Sequence, residues 1–214
     1  MAVQRISYPD RESWLNGRTR GIGASEAAAV VGFSPWMSAV ELWETKTGRR
    51  ERKDVSGNDA VKRGVSMEGA VRDFFLAAHP EYTAEHHPYD ILFQEERPWL
   101  FATLDGELVD RNGRRGILEV KTAAPQKREE WKQWDGRVPD HYMAQVLHQL
   151  LATGYDFAVL TAALWSRNGD VTLKDPYQFE REDLTADIDW LLEKETRFWT
   201  CVEQDRMPGM VFQF

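Results

Sequence analysis

Asp105, Glu119 and Lys121 are the residues of this chain whose types and spacing could do chemistry together. Glu119 and Lys121 interrupt an otherwise apolar run, Gly116-Ile117-Leu118-Glu119-Val120-Lys121. Side chains alternate along a strand, so two residues at i and i+2 leave the same face. If the turn from Arg111 to Arg115 folds its hairpin symmetrically, Asp105 lies across from Lys121 and diagonal to Glu119, on the face they share. Two carboxylates are hard oxygen donors suited to Mg²⁺, with Mn²⁺ as a substitute; such ions keep several waters and accept phosphate oxygens. A lysine beside them can orient the attacking water and neutralise charge that develops on phosphorus. Asp110 has the opposite parity and is expected to point away. Glu107 shares the parity of Asp105 and stands as a rival ligand. A surface hairpin braced by a cross-strand salt bridge accounts for the same spacing.

Other residues could assist. Glu68 is expected in the first turn of a helix, where a carboxylate is favoured by the dipole, with Arg72 as its i+4 partner. Tyr142, Gln145 and Gln149 fall at i, i+3 and i+7 on one helix face, which polar packing alone would also explain. Arg18, Arg20 and Ser25 precede or open a helix, and a guanidinium, a hydroxyl and free amides make a phosphate site; exposed arginines beside a capped helix are the plainer alternative. The segment 125–138 carries Trp131 and Trp134 among Lys127, Arg128, Lys132 and Arg137. It could grip DNA or pack between subunits, and a solvated helix with buried Trp faces accounts for it equally well. The five histidines have no ligand spacing, and His141 and His148 lack a partner acid in sequence, so all are read as structural or surface groups. Cys201 is read as packing.

The elements that must position these residues follow from periodicity. A short helix from Ser25 to Val31, capped by Ser25, is followed by a turn and a helix from Ala39 to Thr47 that Gly48 stops. Residues 49–59 are polar. A third helix is predicted from Ser66 to His79, ended by Pro80. Strands are predicted over Asp90–Phe93, Leu100–Leu104, Glu107–Asp110 and Gly116–Lys121, with Arg111-Asn112-Gly113 as a hairpin signal. A helix from Asp140 to Ala152, a buried strand from Phe157 to Trp165 and a strand over Gln178–Glu180 come next. The last helix, Asp183 to Gln204, places Leu184, Ile188, Leu191, Leu192, Glu195, Phe198, Trp199 and Val202 on one mostly apolar stripe. Residues 1–17 read as a lead-in carrying Trp14. The alternation indicates one α/β domain over residues 1–214, with a central mixed β-sheet flanked by helices.

Composition bounds the rest. Hydrophobic residues make up 42% of 214, with nine Trp and ten Phe, which supports one substantial core. No apolar run approaches the ~18 residues of a membrane span, and the first residues lack the layout of a secretory signal. A lone cysteine excludes an internal disulfide and a thiolate metal cage. These features lead to the expectation of a cytoplasmic protein. The net charge of −8 argues against a protein that coats nucleic acid passively, yet it is compatible with a local basic channel beside metal-holding acids.

The strings RTRGIGASEAAAVVGFSPWMSAVELWETKTGR, RGVSMEGAVRDFF, FATLDGEL, GILEVKTA and HYMAQVLHQLLATG occur in that order. Together they resemble the lambda-exonuclease/YqaJ family of viral recombination nucleases, within the PD-(D/E)XK superfamily. The resemblance spans roughly residues 14–165 and departs where Leu104 stands in place of the proline the family often carries. It implies that Asp105, Glu119 and Lys121 match the catalytic triad, that Asp105, Glu119 and the carbonyl of Val120 hold Mg²⁺, and that Glu68 and Gln145 assist. It implies that Arg18 and Ser25, with Arg20 as a substitute, hold the 5′-phosphate of a duplex DNA end. It further implies a phage or prophage exonuclease in a bacterial host. Such an enzyme digests one strand from the 5′ end as a homotrimer and hands the 3′ strand to an annealing partner. A PD-(D/E)XK endonuclease or repair nuclease without end preference is the alternative, separable by its action on closed circular DNA.

Overall fold

In the computed structural model, which describes residues 3–52, 54–55 and 57–209, the strand read around Glu119 is buried from Gly116 to Val120. The predicted domain ends at 1–2 and 210–214 lie outside the described residues. In chain order the elements are β1 (Val3–Ser7), α1 (Arg11–Gly17), β2 (Ile22–Gly23), α2 (Ala27–Val30), α3 (Ala39–Lys46), α4 (Asp59–Ala78), β3 (Tyr82–Glu85), β4 (Asp90–Gln94), β5 (Leu100–Ala102), β6 (Gly106–Asp110) and β7 (Arg115–Ala123). They continue with α5 (Arg128–Lys132), α6 (Asp140–Thr153), β8 (Phe157–Trp165), β9 (Val171–Leu173), β10 (Tyr177–Glu180) and α7 (Thr185–Glu203).

Two sheets form. One runs β10-β8-β7-β6-β3 with β9 also on β8, and the other runs β1-β4-β5-β2. β7 and β8 pair in parallel, as do β2 and β5, while the remaining pairs are antiparallel. The parallel pair β7–β8 is covered on both faces, which is why both strands read as continuous apolar runs. On one face Val71 and Phe75 of α4 meet Leu118, Val120, Phe157 and Val159. On the other, Val146, Leu147, Leu150 and Leu151 of α6 meet Ile117, Ala158, Leu160 and Ala162. Each such fully buried aliphatic side chain contributes about 1.5–3 kcal/mol relative to exposure. Odd-numbered residues of β7 therefore face α6, and Glu119 is carried into the interior with them.

Several expectations are corrected. The hairpin closes through a three-residue loop, Arg111 to Gly113, in which Gly113 takes the left-handed conformation (φ 79°) that a side chain would resist. The register pairs Gly106 with Leu118 and Val109 with Arg115. Extended by one pair, it puts Asp105 opposite Glu119 rather than opposite Lys121. The shift is two residues, so the shared face survives. Asp110 is turned into the loop, where it accepts from the amides of Asn112 and Arg114 at 2.8 and 2.9 Å.

α4 begins at Asp59, capped by Asn58, well before the predicted Ser66, because an exposed polar first turn carries no apolar stripe to announce it. Glu68 is thus in mid-helix, away from any dipole advantage. Ser25 is not an N-cap. It lies in a 3₁₀ turn, Ala24–Glu26, and α2 behind it is only four residues long. The lead-in forms β1 and α1, and β2, β3 and β9 are short strands that periodicity missed.

Candidate active site on β7 and α6

Asp105, at the junction of β5 and β6, accepts a hydrogen bond from the Val120 amide through Oδ2 at 2.8 Å. Its backbone carbonyl accepts from Arg72 Nη1 at 3.0 Å and lies 2.9 Å from His86 Nδ1. Burial, then the charges of Glu119 and Glu68, hold its carboxyl well above the usual carboxylate range against the pull of Lys121 and the Val120 amide. Three acids therefore share one electrostatic neighbourhood.

Glu119 is 2% exposed, and both its oxygens are held by side chains. Gln145 Nε2 donates to Oε1 at 2.7 Å, Lys121 Nζ is ion-paired to the same oxygen, and Gln149 Nε2 donates to Oε2. The Gln145 amide also accepts from Lys121 Nζ at 2.9 Å, so one glutamine fixes carboxylate and ammonium together. Burial opposes the charge on Lys121, but Glu119 and Asp105 outweigh it and hold the ammonium above its usual pKa. The Tyr142 ring lies against that ammonium, 4.8 Å from centroid to Nζ.

Glu68 stands further out, 3.5 Å from Arg72 and a third exposed. Glu107 is removed as a rival ligand, since Arg5, Arg115 and the Tyr155 hydroxyl hold its carboxylate. Among the described residues, no three His, Cys, Asp or Glu side chains are grouped to hold a metal ion by themselves. A divalent cation would fit here as one held by few protein oxygens. Asp105 and Glu119 are hard anionic donors, and the mutual repulsion that raises the Asp105 carboxyl is what such a cation relieves. Of Val120, the amide is the group that meets Asp105.

The second cluster is separate in its chemistry. Arg18 is 6% exposed. Its Nη2 donates to Ser25 Oγ at 2.9 Å, and its guanidinium packs over Trp14 at 4.8 Å and beside Phe101 at 5.8 Å. Its Nε is buried with no acceptor among the described residues. A Cβ at position 23 would come within 2.7 Å of Nη2, so any larger residue there would displace the guanidinium from this position. The nearby carboxylate of Glu26 is taken by Lys46 at 2.8 Å and by the Gly23 amide at 2.9 Å. Burial therefore lowers the pKa of Arg18, offset only in part by Glu26 and reinforced by Arg52. A desolvated cation without a direct carboxylate partner is a site that an anion would stabilise. Arg20 is exposed, and Arg18 is the arginine bonded to Ser25. Trp14 ties this cluster towards the first, donating from Nε1 to Thr103 Oγ1 at 2.9 Å, two residues before Asp105.

Sequence reasoning placed Gln149 on the correct helix face but not in the site. Its spacing of four from Gln145 was the available signal. It also missed the acid partner of His148. His148 Nδ1 lies 2.7 Å from Glu195 Oε1 and Nε2 lies 2.9 Å from the Phe101 carbonyl, all fully buried. Glu195, the one charge on the apolar stripe of α7, was the clue. Trp134 is core, and Trp131 packs against it with Nε1 on the Pro125 carbonyl at 3.0 Å, so the indoles of 125–138 are packing groups. Cys201 is half-buried and packs against the cluster that holds Ile22, Leu42, Trp43 and Phe198.

Comparison with known proteins gives a consistent frame. The model of the YqaJ-like viral recombinase domain matches residues 13–156. The uncharacterised protein YqaJ of Bacillus subtilis (strain 168) is 29% identical over 198 residues, covering 92% of this chain. The chain spans 58% of that relative's length. The crystal structure of an alkaline exonuclease from Laribacter hongkongensis superposes with a TM-score of 0.67 at 18% identity, over 91% of this chain and 94% of the other. A phage-related exonuclease from Haemophilus somnus 129PT gives 0.53 at 12% identity, over 86% and 96%. The fold shared with these structures is the PD-(D/E)XK nuclease fold, a mixed sheet flanked by helices.

Proposed function

Because the chain belongs to the YqaJ-like viral recombinase domain family, we propose that it is a metal-dependent DNA exonuclease that digests one strand of duplex DNA from its 5′ end. The observation that carries the reading is the network Asp105–Glu119–Lys121–Gln145, in which a carboxylate and an ammonium on one face of a buried strand meet the Asp105 carboxylate, itself bonded to the Val120 amide of that strand. Such a desolvated charged cluster is costly to build and serves no packing need. No helix among the described residues is long and apolar enough to cross a membrane, which is compatible with work in the cytoplasm of a bacterial host.

In this reading Asp105, Glu119 and the Val120 carbonyl would hold Mg²⁺, or Mn²⁺ in its place. Bound there, the ion would supply Lewis-acid stabilisation of the phosphate and a water of lowered pKa. Lys121 holds a proton on Nζ and presents it to the reacting phosphate oxygens, while Gln145 fixes where that ammonium points. Glu68 and Arg72 orient the loop carrying Asp105 from the side of α4. Arg18 and Ser25 would receive the 5′-phosphate; a monoester carries more charge than an internal diester, which suits a guanidinium lacking a direct anion. That pocket favours an exonuclease over an enzyme without end preference. The product would be a 3′ single strand for an annealing protein, released from a homotrimer.

The test is digestion of linear duplex labelled at either 5′ or 3′ end, with Mg²⁺ or with chelator. Mononucleotides released from the 5′ label first, in Mg²⁺ only, are the expected result. Release that begins at the 3′ label, or cleavage of closed circles at a similar rate, would discard the proposed polarity or end preference.

A further inference from the structure

A cleft of about 1360 Å³ opens beside Tyr142, with Trp36, His141, Arg63, Thr122 and Arg167 among its lining residues. Its wall is a succession of rings leading outward from the catalytic lysine. Tyr142 covers Lys121 Nζ, His141 lies 4.0 Å from Tyr142 between centroids, and Trp36 meets His141 edge-on at 4.9 Å and 86°. Trp36 is 72% exposed, the most exposed of the large apolar side chains among the described residues. A tryptophan buries more area than most side chains when packed, so leaving one in water forgoes stabilisation. Its backbone is nonetheless fixed. Pro35 precedes it, and Ser34 Oγ accepts from the amides of Trp36 and Met37, both at 3.2 Å. An indole on a fixed backbone, resting edge-on against His141, has less ordering entropy to lose on binding than one on a free loop.

We propose that Trp36, backed by His141, is a stacking platform for unpaired bases of the DNA strand entering or leaving the Lys121 site. The inference rests on the nuclease reading and adds a single-strand subsite to it. Three features choose an unpaired nucleic acid strand as the occupant. The ring series runs directly into the catalytic network, so what lies on it is continuous with what is cut. The same cleft carries Arg63 and Arg167, cations for phosphates beside rings for bases, along with the acids Glu130 and Asp140. Burial, with Lys121 nearby, pushes the His141 pKa down to about 4, so at ordinary pH the imidazole is a neutral aromatic surface. Stacking of this kind accepts any base, because every base has a π face.

The experiment measures binding of a thymidine oligonucleotide to the full chain in chelator, where nothing is cut, beside the same oligonucleotide with abasic sites. Trp36→Ala should weaken binding of the normal oligonucleotide about tenfold, and Trp36→Phe should stay within about threefold of wild type. The abasic oligonucleotide should bind weakly to all three and ignore the substitution. The platform is overturned if wild type does not bind the oligonucleotide, if Trp36→Ala binds like wild type, or if the loss is the same on the abasic strand. It is also overturned if the Trp36→Ala chain sediments as a smaller assembly, which would make the indole a contact between copies. Mg²⁺-dependent digestion of duplex by wild type, run in parallel, decides the nuclease reading separately.

Discussion

Lys121 is the residue at which electrostatics and catalysis can be separated experimentally. Its ammonium is paired to Glu119 and held by Gln145, so its position does not depend on DNA. A charge already in place when substrate arrives stabilises what develops at phosphorus in the transition state more than it adds to ground-state affinity. Lys121→Ala should therefore lower the single-turnover cleavage rate by ~10²–10³ while leaving duplex binding in Ca²⁺ or chelator nearly unchanged. Cleavage within about tenfold of wild type would remove Lys121 from the reaction. Arg18 has the complementary character, a buried cation waiting for an anion. Arg18→Ala should erase most of the preference for 5′-phosphorylated over 5′-hydroxyl duplex ends, with little effect on the Lys121 network. Equal initial rates on both ends in the wild type would show that the pocket reads no terminal phosphate. A preference kept in Arg18→Ala but lost in Arg20→Ala would move the role to the exposed arginine.

Among the elements, α6 bears the heaviest demand, because it supplies Gln145 and Gln149 to the site while packing against α7 and both sheets. His148 anchors its far side. Both imidazole nitrogens face acceptors, the Glu195 carboxylate from α7 and the Phe101 carbonyl from β5, with Glu26 more distant. Only the doubly protonated ring can donate to both. Burial works against that charge, but Glu195 and the Phe101 carbonyl outweigh it and raise the His148 pKa above its ordinary value. The sign follows: the stabilisation is fully present below the unfolded histidine's pKa of about 6.5 and is lost as pH rises through the raised folded value. Denaturant unfolding at increasing alkaline pH should show the wild type losing stability that His148→Gln does not lose. Glu195→Gln, which strands a buried cation, should cost about 3–5 kcal/mol near neutral pH. A wild-type stability flat with pH, or a slope retained in His148→Gln, would sink the assignment. These elements also show what a sequence can and cannot reveal. β8 and α6 announced themselves because a two-faced apolar run and a capped amphipathic stripe are local patterns. The parity of Asp105 and Glu119 was equally local, whereas the register between their strands depended on a loop conformation set by Gly113. The pairing of β1 with β4 and the contact of His148 with Glu195 were hidden because each is decided by a partner distant in the chain, and the start of α4 because its first turn is polar and exposed.

For the whole molecule the problem is charge. A chain of net −8 is repelled by a duplex at long range, and only local clusters such as Arg18 with Lys46, or Arg63 with Arg167, offset this. Affinity built on a few phosphate contacts falls steeply with salt. If the proposed homotrimer closes into a ring around the duplex, each subunit meets the next through a heterologous interface, and continued digestion depends on enclosure instead of affinity. Loading and processivity should then respond differently to ionic strength. Between about 50 and 200 mM salt the rate of starting on a new end should drop by more than about tenfold. The tract digested per start, measured with excess unlabelled competitor DNA added after loading, should change by less than about twofold, since an enclosed duplex cannot be lost through weakened contacts. The sedimenting species should have three times the mass of the chain at the protein concentrations used. Tract lengths that shrink in step with the starting rate would mean that each subunit holds DNA by contacts alone, and a monomer that still digests long tracts would exclude enclosure by a ring.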